Sequence, residues 1–262
     1  IGLGHWYRTL ALANEAEQRG HLVCFAGNKM VYHRTYYQIR ENDPFDLYHL
    51  LDQYQPDVMV LDLQDKVPQY MYDLAHGGNC RTVVLNGVGR IEEDSADLVI
   101  IQGVDEVSKP NAYGGIKYVI LRPELFPLRW QPQSSWFVWG GARDKMKLLP
   151  TFQDVMPDES AMLITSKFMD DDVLSQIGAS GTSGTSSHLV YDVKDEAIFP
   201  LMNIAKKACI AMGMMAWELS ALGVPTYVFS WSEGHLRFAK QMEQADLVLA
   251  WDGVGLPDVN EM

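Results

Sequence analysis

The stretch best suited to chemistry opens the chain: Gly2-Leu3-Gly4-His5-Trp6-Tyr7-Arg8 runs directly into a segment of helical periodicity. Two glycines let the backbone turn tightly and approach a ligand closely. The first N–H groups of the following helix, with its dipole, favour an anion at the same place. An imidazole at such a helix mouth can act as a base near neutral pH, and Arg8, one turn on from His5, can share its face. The same residues also read as a plain turn with a polar cap. They do not make a full dinucleotide fingerprint, because Tyr7 stands where the third glycine would fall.

The elements that must position these residues follow from the periodicity of the rest of the chain. Short β-rich runs alternate with helical segments, the signature of parallel βαβ units. In the first part, strands are expected at Leu22–Ala26, Asp57–Leu63, Thr82–Leu85, Leu98–Ile101 and Tyr118–Leu121, with helices at Trp6–Arg19, Lys29–Glu41 and Pro68–His76. A second series has strands at Trp136–Trp139, Ala161–Thr165, His188–Tyr191, Ala208–Ala211 and Pro225–Phe229. Its helices are expected near Lys145–Val155, Asp172–Gly178, Met214–Leu222 and Leu236–Ala245. Between the two series, Pro123–Ser135 carries three prolines and no periodicity and reads as an interdomain linker.

The expected fold is therefore α/β, with two Rossmann-like doubly wound domains facing a cleft. Residues 1–128 would form the N-terminal domain, and residues 134–262 the C-terminal domain. A helix at Trp6 behind a glycine turn calls for a strand in front of it, which residues 1–5 cannot supply; that first strand is expected to be missing or disordered. Gly178–Ser187, nearly all Gly, Ser and Thr, reads as a connecting loop with a possible lid role.

Composition narrows the ligand. The 262 residues carry 21 Lys and Arg against 34 Asp and Glu, a formal net charge of −13, and neither half is net positive. Binding to a phosphate backbone needs clustered cations, so nucleic acid is a poor candidate partner. The longest apolar runs, Asp57–Leu63 and Asp97–Gln102, fall far short of the ~18 residues of a membrane helix. The three cysteines, Cys24, Cys80 and Cys209, each lie in an apolar run and are expected to be buried free thiols of a cytoplasmic protein. No metal site is expected: the seven histidines are scattered, and Asp170–Asp172 reads as charge complementing a helix dipole.

Gly2-Leu3-Gly4-His5, Arg8, Leu10-Ala11-Leu12-Ala13 and Gly20-His21 together resemble the G-x-G-H-x-x-R-x-x-x-L-A opening of GT-B-fold nucleotide-sugar enzymes. The similarity is greatest to the UDP-sugar hydrolase of pseudaminic acid biosynthesis and its spore-coat-polysaccharide relatives. Tyr113–Phe126 resembles the glycine-rich segment of that family that precedes the linker, Trp139-Gly140-Gly141 its second-domain turn, and Asp62 its strand-terminal aspartate. The resemblance implies that His5 is the base that activates water at an anomeric carbon, with UDP held by the second domain and no cofactor beyond the small-molecule substrate. Asp62 would orient the imidazole, as carboxylates do elsewhere, or simply cap a strand end.

On the nucleotide side, the resemblance implies contacts from Gly2, Gly4, Arg8, Gly140 and Gly141, and from Gly213 and Met214 at the diphosphate. Glu218 would meet the ribose hydroxyls, or else be an ordinary helix residue. His235 stands where relatives carry an Asn-Gln pair contacting ligand, and it also reads as a helix cap. Two departures stand out: Asn86-Gly87 replaces a pair of aspartates, and Met212-Gly213-Met214 replaces a hydroxyl-rich turn. Three functions remain open at this point: a UDP-sugar hydrolase, a glycosyltransferase using the same base on an acceptor hydroxyl, and an inactive nucleotide-sugar-binding protein.

Overall fold

The computed structural model describes residues 3–27, 36–38, 44–63, 66–86, 95–103, 105, 107–133, 135–156, 159–180, 188–190 and 195–256. The chain divides into two compact units, His5–Ile120 and Leu121–Met262.

The first unit opens with helix α1 (Leu3–Gln18), followed by strands β1 (Phe25–Gly27) and β2 (Tyr36–Gln38) and helix α2 (Pro44–Tyr54). Next come β3 (Val58–Leu61), α3 (Gln69–Gly77), β4 (Arg81–Asn86), β5 (Leu98–Gln102), β6 (Val107–Lys109) and β7 (Ala112–Gly115). Five strands pair in the order β3-β4-β5-β7-β6, parallel except for β6, while β1 and β2 form a separate parallel pair. Register brings Leu61, Val84 and Val99 side by side, and with Tyr72, Ile101 and Ala112 they make the core on one face of this sheet.

The second unit contains β8 (Trp136–Trp139), α4 (Leu148–Val155), β9 (Ala161–Ile164), α5 (Asp171–Ser180), β10 (His188–Val190) and α6 (Asp195–Ile204). It continues with β11 (Lys207–Ala211), α7 (Met214–Leu222), β12 (Thr226–Ser230), α8 (Glu233–Gln244) and β13 (Leu249–Val254). All six strands are parallel, in the order β10-β9-β8-β11-β12-β13. This is the doubly wound order 3-2-1-4-5-6, whose winding reverses between β8 and β11. The central strands are buried on both faces, which is why Trp136–Val138, Ala161–Ile164 and Ala208–Ala211 read as unbroken apolar runs. Gly223, with φ 83°, ends α7 in the left-handed conformation that glycine adopts without cost, and Ser232 caps α8 by accepting the His235 N–H.

Several expectations need correction. Tyr118–Leu121 is not a strand: a short 3-10 turn at Ile116–Tyr118 leads into unpaired extended chain. The expected helix Lys29–Glu41 contains strand β2, its remainder lying outside the described residues. Helices α2 and α6 and strands β6, β7 and β13 were not anticipated. Pro123–Ser135 is folded into the second unit, where Gln131 and Gln133 donate their N–H groups to the carbonyls of Asn203 and Ile204. Cys24 is exposed, while Cys80 and Cys209 are buried. Gly178–Ser180 ends α5, and the rest of the Gly/Ser/Thr stretch lies outside the described residues. No helix among the described residues is long and apolar enough to cross a membrane.

Candidate active site

Helix α1 starts at Leu3, earlier than expected from Trp6, so Gly4 and His5 belong to its first turn rather than to a loop. Gly2 lies outside the described residues. One helical turn separates His5 from Arg8, and both side chains meet Asp62, the first residue beyond β3. His5 Nδ1 is 2.6 Å from Asp62 Oδ1. A carboxylate oxygen can only accept, so this shorter contact calls for the ring proton on Nδ1, although Arg8 Nη2, a donor only, also stands 3.1 Å from that nitrogen. Arg8 Nε donates to Asp62 Oδ2 at 2.5 Å, and its Nη2 donates to Oδ1.

Burial grades the three groups. The Asp62 side chain is 3% exposed and that of Arg8 8%, whereas His5 keeps 26% of its surface open. A buried carboxylate thus carries two cationic or polar partners, and only the imidazole reaches outward. This is the arrangement of an oriented base: the carboxylate fixes tautomer and ring direction, and Arg8 fixes the carboxylate. Arg8 itself, expected to meet a ligand anion, spends its guanidinium on Asp62.

In the second unit the expected glycine sites flank the reversal point of the sheet. Gly140 and Gly141 follow β8, and Gly213 precedes α7 at the end of β11. The Gly140-Gly141 turn holds a residue that sequence reasoning missed. A side chain on Gly140 would overlap the Asp144 carboxylate, and that carboxylate accepts the Leu148 and Leu149 N–H groups at 2.8 and 2.9 Å. The α4 N-terminus therefore already has its anion, supplied by the chain, and Gly140 makes room for that Asp144 carboxylate, whereas Gly141, with φ 87°, has open space where a Cβ would stand. Burial raises the Asp144 pKa, against the pull of its two amide donors. Burial, joined by the Asp144 charge, pushes the Cys209 thiol up to about 12.

Gly213 is different: a Cβ there would meet open space, and Met214 begins α7 only partly buried. This turn keeps the first N–H groups of a nine-residue helix next to the reversal point. Glu218, further along α7, is 0% exposed, and its two oxygens accept from Arg122 Nε and Nη2 at 2.5 and 2.6 Å. Arg122 also lies over the Phe199 ring, 4.3 Å from its centroid. The ribose contact expected of Glu218 is thus unavailable in this structure; the carboxylate is an internal counter-ion. Arg122 was missed, although it stands in the same Arg-Pro-Glu-Leu-Phe run used above for the resemblance.

His235 lies in the first turn of α8, with Nδ1 2.7 Å from Ser232 Oγ and its ring 4.4 Å from that of Trp231. Burial lowers its pKa below the usual imidazole value. Trp231 is 43% exposed and Lys145 Nζ sits 5.5 Å from its centroid, so this corner offers an aromatic face with a cation beside it. Among the described residues no group of three or more His, Cys, Asp or Glu side chains is placed to hold a metal ion.

Two Rossmann-like units of this kind define a GT-B-like fold, and solved structures share it. The chain matches MurG of Acinetobacter baumannii with a TM-score of 0.65 at 13% identity, over 95% of this chain and 82% of that one. It matches the glycotransferase of kitacinnamycin at 0.60 and 14%, over 94% and 82%. A putative UDP-N-acetylglucosamine 2-epimerase from Listeria monocytogenes follows at 0.58 and 10%, over 93% and 84%. No family model and no curated protein matches the sequence.

Proposed function

We propose that this chain is a UDP-sugar-processing enzyme that breaks the bond between the anomeric carbon and UDP, with water as the nucleophile. His5 removes the proton from water through Nε2, Asp62 orients the ring, and Arg8 holds Asp62 in place. Nucleotide binding is assigned to Gly213 and Met214 at the start of α7 and to His235 at the start of α8. The observation that carries this reading is the His5–Asp62–Arg8 arrangement on a GT-B-like fold: a buried carboxylate held by Arg8 and in contact with a partly exposed imidazole.

The chemistry balances without a cofactor. Water gives its proton to His5 and its oxygen to the anomeric carbon, and the glycosidic electron pair leaves with UDP. A transferase reading, in which an acceptor hydroxyl takes the place of water, is favoured by the glycotransferase among the similar structures. Incubation with a panel of UDP-sugars, with and without glycan and lipid acceptors, separates the two. Acceptor-independent UDP release supports hydrolysis, acceptor-dependent release supports transfer, and UDP binding without turnover of any donor refutes both.

A further inference from the structure

Gln102 ends β5 at the carboxyl edge of the first sheet. It is 2% exposed, and its Nε2 finds no hydrogen-bond partner among the described residues. A buried amide donor left unpaired is costly, and native structures keep few of them without a reason. Register shows which way it points. Leu61, Val84 and Val99 lie side by side and pack with Ile101 in one core, so Asp62, Leu85, Ile100 and Gln102 present to the opposite face. That is the face on which α1 brings His5 and Arg8 to Asp62.

Counting along the ladder, Asp62 lies in line with Ile100, so Gln102 is two strands across and two residues nearer the edge. At ~4.8 Å per strand and ~3.3 Å per residue, the two Cα atoms are about 12 Å apart, and the His5 ring stands on Asp62 from that same face. The neighbour of Gln102 in β7 is Gly115, with φ 119°, which brings no side chain to that face.

We propose that Gln102 is a substrate-positioning residue whose side-chain N–H donates to an oxygen of the sugar, fixing the ring against the His5 base. This rests on the function proposed above and names the part of the substrate that the first unit reads: an oxygen substituent of the sugar, not the nucleotide.

Gln102→Leu and Gln102→Glu test it, with UDP release and thermal unfolding measured on the same samples. Removing an unpaired buried amide should raise the Tm of Gln102→Leu by a few degrees. Both variants should lose roughly ten-fold in kcat/KM, mainly through KM, with UDP affinity by calorimetry unchanged. With a deoxy analogue that lacks the contacted oxygen, wild type and Gln102→Leu should react equally well. Wild-type kcat/KM in both variants overturns the proposal while leaving the proposed function standing. A Tm and an activity that fall together in Gln102→Leu overturn it in favour of a structural role. Absence of UDP release from every donor by the wild type refutes the proposed function, and this inference with it.

Discussion

At the residue scale, the proposed chemistry rests on one carboxylate with two partners. Asp62 is nearly inaccessible, and it both holds the His5 tautomer and neutralises a buried guanidinium. Asp62→Asn should therefore do two things. Turnover should drop by at least ~10², because an amide can turn its NH₂ toward His5 and favour the wrong tautomer. Stability should fall by ~3–5 kcal/mol, because Arg8 is left buried without its counter-charge; urea unfolding measures this, and an unchanged midpoint would contradict it. His5, Arg8 and Asp62 were legible as candidates because their types and a helical spacing are local features. Their partnership was only partly legible: Arg8 was assigned to a ligand anion, since sequence does not show that an internal carboxylate arrives 54 positions later to claim it. Asp144 and Arg122 were missed for the same reason. The fold brings each against a distant partner or a glycine-made space, and no periodicity records that.

At the element scale, the buried central strands match expectation, because apolar β-formers and burial agree there, as at Trp136–Trp139; the edge strands Val58–Leu61 and His188–Val190 match it as well. The mismatches are edge and pairing effects. Tyr118–Leu121 has strand-forming residues and no strand partner among the described residues, whereas Ala112–Gly115 pairs with β5 and β6 despite two glycines, and Gly114 suits that place because a Cβ there would press against Val107 and Ile101 at 3.0 and 3.2 Å. Helix α7 is locked to the Arg-Pro-Glu-Leu-Phe run by the Arg122–Glu218 pair. Glu218→Gln should cost ~3–5 kcal/mol, whereas the double change Arg122→Met with Glu218→Leu should recover most of that loss. A double-mutant cycle by denaturant unfolding measures both, and a double variant no more stable than Glu218→Gln would contradict the pairing argument. The starts of β4 and β5 are tied by Asp97, which accepts the Thr82 N–H at 2.7 Å and hydroxyl at 2.9 Å, with His76 Nε2 at 3.0 Å. These bonds, the Thr82 amide first, hold its pKa at about 2. The depressed value means that this stabilisation is complete above the ordinary carboxylate pKa and is lost as pH falls from about 4 toward 2. Asp97→Asn should remove that part of the acid sensitivity, read as a flatter unfolding midpoint between pH 5 and pH 2.5.

At the scale of the whole molecule, a net charge of −13 sets the conditions for the proposed binding of an anionic diphosphate. The long-range field repels such a ligand, so attraction must be local: the first N–H groups of α7, and Lys145 beside Trp231. Salt screens the long-range repulsion over ~10 Å at 0.1 M and leaves short contacts largely intact. The kcat/KM for a UDP-sugar should accordingly hold steady or rise between 0.05 and 0.5 M salt, and a steep fall would contradict attraction by short local contacts. All of this depends on His5 being the base. The most direct test is saturating UDP release by wild type and His5→Ala, with UDP affinity measured by calorimetry on both. The account predicts a loss of ~10²–10⁴ in turnover with UDP affinity unchanged. Equal turnover by the two proteins would contradict it.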